Sequence, residues 1–175
     1  GFVYNNFYRE LATKYYKSGN YGKLEEILPE MDMVMINDVY RKCVEFAIRK
    51  TPTPPETYVE IARKFIDQMI VKVGDGSYSQ TIIASPRQVE GLARQWLNYY
   101  ICVYAQVAEK CGRYQEVVDV MNLIDEDQRY VSYPAGNEAY IESLERLGRD
   151  DEAFEAMKGV ASAGQMTPVV YEKLR

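Results

Sequence analysis

Apolar residues along this chain recur at spacings of three and four, the period of an amphipathic helix rather than the period of two that marks a strand. The first stripe is Tyr4, Phe7, Tyr8, Leu11, Ala12 and Tyr15. A short second stripe, Leu24, Ile27, Leu28 and Met31, contains Pro29, which strains or ends a helix because it has no N–H to donate. Ile36, Val39, Tyr40, Cys43, Val44 and Ala47 make a third, and Tyr58, Ile61, Ala62, Phe65, Ile66 and Met69 a fourth. The fifth is the longest, running from Val89 through Trp96, Tyr100 and Tyr104 to Ala108. From Tyr99 onward its opposite face is apolar as well, through Cys102, Val103 and Val107, so this helix is expected to be central and buried. Three further stripes follow: Val117, Val120, Met121 and Ile124; Tyr140, Ile141, Leu144 and Leu147; Ala153, Ala156, Met157 and Val160. No segment alternates for long enough to predict a strand.

Local punctuation sets the helix ends. Thr53, Pro54 and Glu56 form a capping grammar before the fourth stripe, and Ser85, Pro86 and Gln88 repeat it before the fifth. Gly74-Asp75-Gly76 is expected to stop the fourth helix. The stretch DEDQRYVSYPAG, residues 125–136, reads as a loop or irregular turn. Thr167 and Pro168 open a last, short helix.

Three glycines share one context. Counting forward 5, 8, 9 and 12 residues from Gly19, Gly112 and Gly148 reaches apolar residues every time: Leu24, Ile27, Leu28, Met31; Val117, Val120, Met121, Ile124; Ala153, Ala156, Met157, Val160. Counting back 4, 7 and 8 reaches Tyr15, Ala12, Leu11; Ala108, Ala105, Tyr104; Leu144, Ile141, Tyr140. The common phase across the glycine predicts a helix that ends in a left-handed residue and reverses at once into an antiparallel partner. Such pairs each need a neighbour to cover their second face.

In this respect the chain resembles the tetratricopeptide (TPR) family. Ala12, Ala105 and Ala153 stand where that family packs its paired helices, and Tyr21 and Tyr114 follow the glycine by two. Gly112 and Gly148 are 36 residues apart, near the family's period of about 34. The family's aromatic near the first helix start is Tyr8, Ile101 and Asn137 here, its closing proline is missing, and Asp150 replaces its second tyrosine. Gly19 and Gly112 are 93 residues apart, not a multiple of the period, which makes the third and fourth helices an irregular insert. The expected fold is all-α: one domain, residues 2–175, of antiparallel helical hairpins stacked as an irregular TPR-like solenoid. Eight or nine helices pair near 4–31, 35–73, 86–124 and 136–161, and a further helix starts at 168. A second, narrower resemblance rests on PTPPETY, RQWLNYYICVYAQVAEKCGRY and NEAYIESLERLGR. These look like the helical region preceding the thioredoxin-like domain of some bacterial envelope thiol–disulfide oxidoreductases. That likeness implies an accessory domain of the cell envelope or periplasm, with the redox C-x-x-C beyond Arg175.

Composition narrows the function classes. Among 175 residues, 47% are hydrophobic and 16 are Tyr, whose ring can be buried while its hydroxyl stays wet, as thin helical layers require. A net charge of −5 argues against nucleic acid, which needs clustered cations. The longest apolar run, Tyr99–Ala105, falls far short of the ~20 residues that span a bilayer. Gly1 in place of Met is expected of a chain excised from a longer one, the glycine being a tag remnant.

Catalytic signatures are missing. There is no histidine, which excludes Ser–His–Asp and Cys–His catalysis within the chain, and no phosphate-binding or dinucleotide fingerprint. The three cysteines form no C-x-x-C pair. Cys102 and Cys111 lie ~13.5 Å apart along one helix, too far for a disulfide; a bridge from Cys43 to another helix stays open. The acidic groups at 25–26, 125–127 and 150–152 read as helix-start or loop carboxylates rather than a metal site or an acid–base pair. No cofactor is expected.

What remains is a groove. The TPR resemblance implies that ligands touch first-helix positions facing away from each pair's core. By offset from the glycines these are Asn6, Arg9, Thr13 and Tyr16; Tyr99, Cys102, Gln106 and Glu109; Glu138, Glu142 and Glu145. The last three form an acidic stripe that suits a partner with basic residues. The expected function is a noncatalytic protein-interaction or accessory module whose partner is a protein or peptide, its own downstream domain included. A free-standing peptide-binding or oligomerising scaffold is the alternative.

Overall fold

The structure is a computed structural model that describes residues 2–42, 56–76, 86–131 and 133–175. Among them lie nine α-helices and one short 3₁₀ helix, with no strand. The helices are α1 (Phe2–Lys17), α2 (Tyr21–Ile27), α3 (Met33–Tyr40), α4 (Glu56–Asp75), α5 (Pro86–Lys110), α6 (Tyr114–Met121), α7 (Pro134–Arg146), α8 (Asp150–Ser162) and α9 (Pro168–Lys173). The 3₁₀ turn, Leu28–Glu30, follows α2 where Pro29 interrupts its stripe. The chain forms two units, Gly1–Leu97 and Asn98–Arg175, with the division inside α5.

In the first unit α1 packs on α2 and α3, and α3 on α4. Asp32 caps α3 by accepting the Met35 N–H at 2.9 Å. The core gathers Ala12, Leu24, Ile36, Tyr40, Phe65 and Met69, all fully enclosed, with the Tyr40 and Phe65 rings edge-on at 5.4 Å. Phe7, expected in the α1 stripe, is instead 58% exposed and meets the ring of Tyr8. It sits five residues before the buried Ala12, about 140° round a helix of 3.6 residues per turn, at the edge of the packed face. Cys43, Val44, Ala47, the Thr53–Pro54 cap and Ser85 lie outside the described residues.

In the second unit α6 packs on α7 and α7 on α8. The C-terminal half of α5 buries Tyr100–Ala105, Val107 and Ala108, as its two-faced apolarity predicts. Pro134 begins α7 three residues earlier than the loop reading of 125–136 allows; proline suits the first helical position, where its missing N–H is not needed. Gly136, on the first turns of α7, lies directly against Cys102 of α5: a Cβ there would fall 2.6 Å from the Cys102 Cβ and 3.0 Å from its Cα.

The hinge glycines have the expected form. Gly19, Gly112 and Gly148 have φ of 70°, 73° and 70°. After each, the next N–H reaches back five residues: Asn20 to Tyr15, Arg113 to Ala108 and Arg149 to Leu144, each at 2.9 Å. The glycine N–H bonds the carbonyl three residues back, which completes a Schellman motif. Of the residues at the predicted offsets, only Ile27, Tyr15 and Leu11 are not fully buried. A fourth glycine, Gly164 at φ 68°, ends α8 in the same way, with Gln165 N–H on the Val160 carbonyl at 3.0 Å.

Candidate functional site

Each unit carries a cleft that gathers first-helix residues. In the first unit Asn6, Arg9, Glu10, Thr13, Lys14, Lys17, Ser18 and Lys42 line an open cleft of about 650 Å³. Three of the four groove residues expected on α1 are therefore in it. Arg9 pairs with Asp38 of α3 at 3.1 Å, and the Thr13 hydroxyl donates to the Arg9 carbonyl at 2.8 Å. Tyr16 does not line the cleft; its ring stacks on Tyr58 of α4 at 6.0 Å and packs near Tyr21. The offsets did not anticipate Lys14, Lys17 and Lys42, which make this cleft basic within an acidic chain.

In the second unit a cleft of about 290 Å³ lies among α5, α7 and α9. Gln106, Glu109 and Lys110 come from α5; Ala135, Glu138, Ala139 and Glu142 from α7; Val169 and Lys173 from α9. Gln106, Glu109, Glu138 and Glu142 are the groove residues expected there. Tyr99 and Cys102 are placed differently. Tyr99 is half-buried, its ring edge-on to Tyr100 and to Tyr133 at 5.2 and 5.3 Å. Cys102 is 1% exposed behind Gly136, and burial pushes its thiol up to about 12, so it stays protonated and unreactive. The offset argument failed at Cys102 because a glycine on the facing helix lets the backbones approach until nothing is left open.

Two of the three stripe carboxylates, Glu142 and Glu145, are already engaged. Lys173 donates to Glu142 Oε2 at 3.0 Å and to Glu145, 31 and 28 residues earlier in the chain. Arg146 adds an N–H to Glu142 at 2.8 Å one helical turn on. The Arg146 and Lys173 hydrogen bonds hold the Glu142 carboxyl below the ordinary range. Glu109 moves the other way: its partial burial, then the charge of Glu142, push its pKa up. Burial alone would lower Lys173, but its bonds to Glu145 and Glu142 outweigh that and raise it. Nothing local in TPVVYEKLR announces this pairing, because its carboxylates lie far back in the sequence.

A third cleft, about 710 Å³, lies beside α8 and includes Glu126, Arg129, Tyr130, Tyr140, Glu155 and Lys158. Arg129 is committed to structure there: its N–H groups cap the end of α6 on the Met121 and Ile124 carbonyls at 3.2 Å, and its guanidinium lies over the Tyr140 ring. A repeated signal at the hinges also escaped the sequence reading. GRYQE and GRDDE place an arginine directly after Gly112 and Gly148, and it bonds the glutamate three residues on: Arg113 to Glu116 at 2.8 Å, Arg149 to Glu152 at 2.7 Å. Glu116 also accepts the Tyr104 hydroxyl at 2.5 Å.

Among the described residues no group of three or more His, Cys, Asp or Glu is placed to hold a metal ion, and no helix is long and apolar enough to cross a membrane. No protein-family description, curated protein or solved structure matches the chain.

Proposed function

We propose that the chain is a noncatalytic protein-interaction module that binds polypeptide through its first-helix faces. One observation carries this reading. Positions chosen only by their offset from the hinge glycines converge on a cleft in each unit: Asn6, Arg9 and Thr13 in one, Gln106, Glu109, Glu138 and Glu142 in the other. A surface kept open at the same register in separate helical pairs is what a recognition groove requires. The residues most strongly shifted by burial, such as Cys102, are closed off from solvent, which does not suit chemistry. We extend the proposal to an accessory role beside a thioredoxin-like domain in an envelope protein, on the strength of the RQWLNYYICVYAQVAEKCGRY stretch; a coding sequence without C-x-x-C after Arg175 removes that extension.

The test is an array of diverse peptides probed with the intact chain. Substituting Glu109→Lys with Glu138→Lys, or Lys14→Glu with Lys17→Glu, weakens captured sequences by about tenfold or more, the scale of one well-placed interface contact. Glu155→Lys, on α8 and away from both grooves, leaves them unchanged. Capture that ignores both groove pairs and responds to Glu155→Lys overturns the reading.

A further inference from the structure

The weakest-anchored helix in the second unit is the one that covers the acidic stripe. α9 has six residues, well under the ~12–15 that an isolated helix needs in water. Its side chains are mostly solvated: Val169 is 49% exposed and Tyr171 56%. Two contacts dock it: Val170 is buried to 1% exposure, and Lys173 bridges Glu142 and Glu145. The Thr167 side chain, accepting the Val170 N–H at 3.4 Å, only caps the helix's own first turn. By contrast α8 buries Ala153, Ala156, Met157 and Val160 along its length.

α9 also leaves acidity unspent. Glu109 and Glu138 line the same cleft and make no ion pair among the described residues. A cation is thus seated at one end of a negative surface, on a short helix, beside room of about 290 Å³. We propose that α9 is a self-ligand: it holds this face of α7 until a partner segment with an aliphatic anchor and, three residues later, a lysine or arginine takes its place. The proposal rests on the reading of first-helix faces as recognition surfaces and names the occupant of one of them. Val170 and Lys173 supply the template for the anchor and the cation. Charge complementarity with Glu109, Glu138, Glu142 and Glu145 favours a basic segment over an acidic or purely apolar one.

The test follows amide exchange at Tyr171 and Leu174, whose N–H groups bond the Thr167 carbonyl at 2.9 Å and the Val170 carbonyl at 3.2 Å. The probe is a synthetic peptide, TPVVYEKLR, and the same peptide with its lysine replaced by glutamate. In the intact chain, millimolar TPVVYEKLR speeds exchange at both amides by about fivefold or more, and the glutamate peptide does not. Lys173→Ala alone speeds it about tenfold and tightens TPVVYEKLR binding, seen as shifts at Gln106 and Glu138. A second variant, Glu142→Gln with Glu145→Gln, speeds exchange and abolishes binding of the peptide. Exchange unmoved by Lys173→Ala, or peptide binding with no release of α9, overturns the proposal. If library peptides still depend on Glu109 and Glu138 while TPVVYEKLR binds neither protein, this inference falls and the interaction-module reading stands.

Discussion

At the scale of single residues, Gly136 and Gly159 pose the same question with different answers. Both lie inside helices, where alanine is preferred by ~1 kcal/mol. A Cβ on Gly136 meets Cys102, including its backbone Cα at 3.0 Å, so α5 and α7 must part. The atoms nearest a Cβ on Gly159 belong to the Tyr130 ring, which is half-buried and can swing toward solvent. Overpacking costs ~1–3 kcal/mol when the neighbour cannot yield. Gly136→Ala is therefore expected to lower the urea midpoint, and Gly159→Ala to leave it nearly unchanged. Equal midpoints for the two variants would contradict the close approach of α5 and α7. Neither contact was legible in the sequence, since both depend on which helices meet, and a glycine gives no hint of its neighbour.

At the scale of elements, most of the architecture was legible because its cause is local. Helical spacing located the helices among the described residues, Pro29 and Thr167 marked real boundaries, and the glycine phase predicted buried positions on both sides of each hinge. The candidate groove was read less well. Offsets bring seven of the positions to the lining of a cleft but cannot see Tyr58 stacking on Tyr16 or Lys173 returning to Glu142, because such pairings are set by tertiary approach. The docking of α9 also carries a pH signature. Glu142 is held below the ordinary carboxylate value of 4.5, so its contribution is present above that value and is lost as pH falls through its lowered pKa. Lys173 is raised above 10.5, so its contribution persists through neutral pH and is lost as pH rises past its raised pKa. Glu109 opposes the acid effect, since protonating it relieves repulsion with Glu142. Lys110, Glu138 and Arg146 are the other charged groups beside this face. Exchange at Tyr171 and Leu174, corrected for intrinsic rates, should be slow between about pH 4.5 and 10.5 and accelerate beyond either limit; a flat profile would show that the ion pairs do not hold α9.

At the scale of the whole molecule, consecutive helices pair with their sequence neighbours, so packing in each unit is mostly local and folding is expected to be fast. Cys102 reports on the second unit's opening. Its thiol is enclosed and raised to about 12, while Cys111 is half-buried near the hinge. In a Cys43→Ser, Cys111→Ser variant, modification by a disulfide reagent at about pH 8 should proceed only as fast as the second unit unfolds, accelerating with urea. Immediate labelling in native buffer would place Cys102 at an open surface. The hinges offer a sharper use. Gly112 sits at φ 73° with no atom within 4 Å of where its Cβ would be, so only handedness opposes a side chain there. L-alanine at that position costs ~1–2 kcal/mol, but its mirror image prefers the very conformation the turn demands. Cys111 stands immediately before it, which makes the junction after Lys110 a natural point for chemical ligation of a synthetic 111–175 segment. A chain assembled that way with D-alanine at 112 should melt higher than the glycine original, turning a reversal point fixed by sterics into one fixed by stereochemistry.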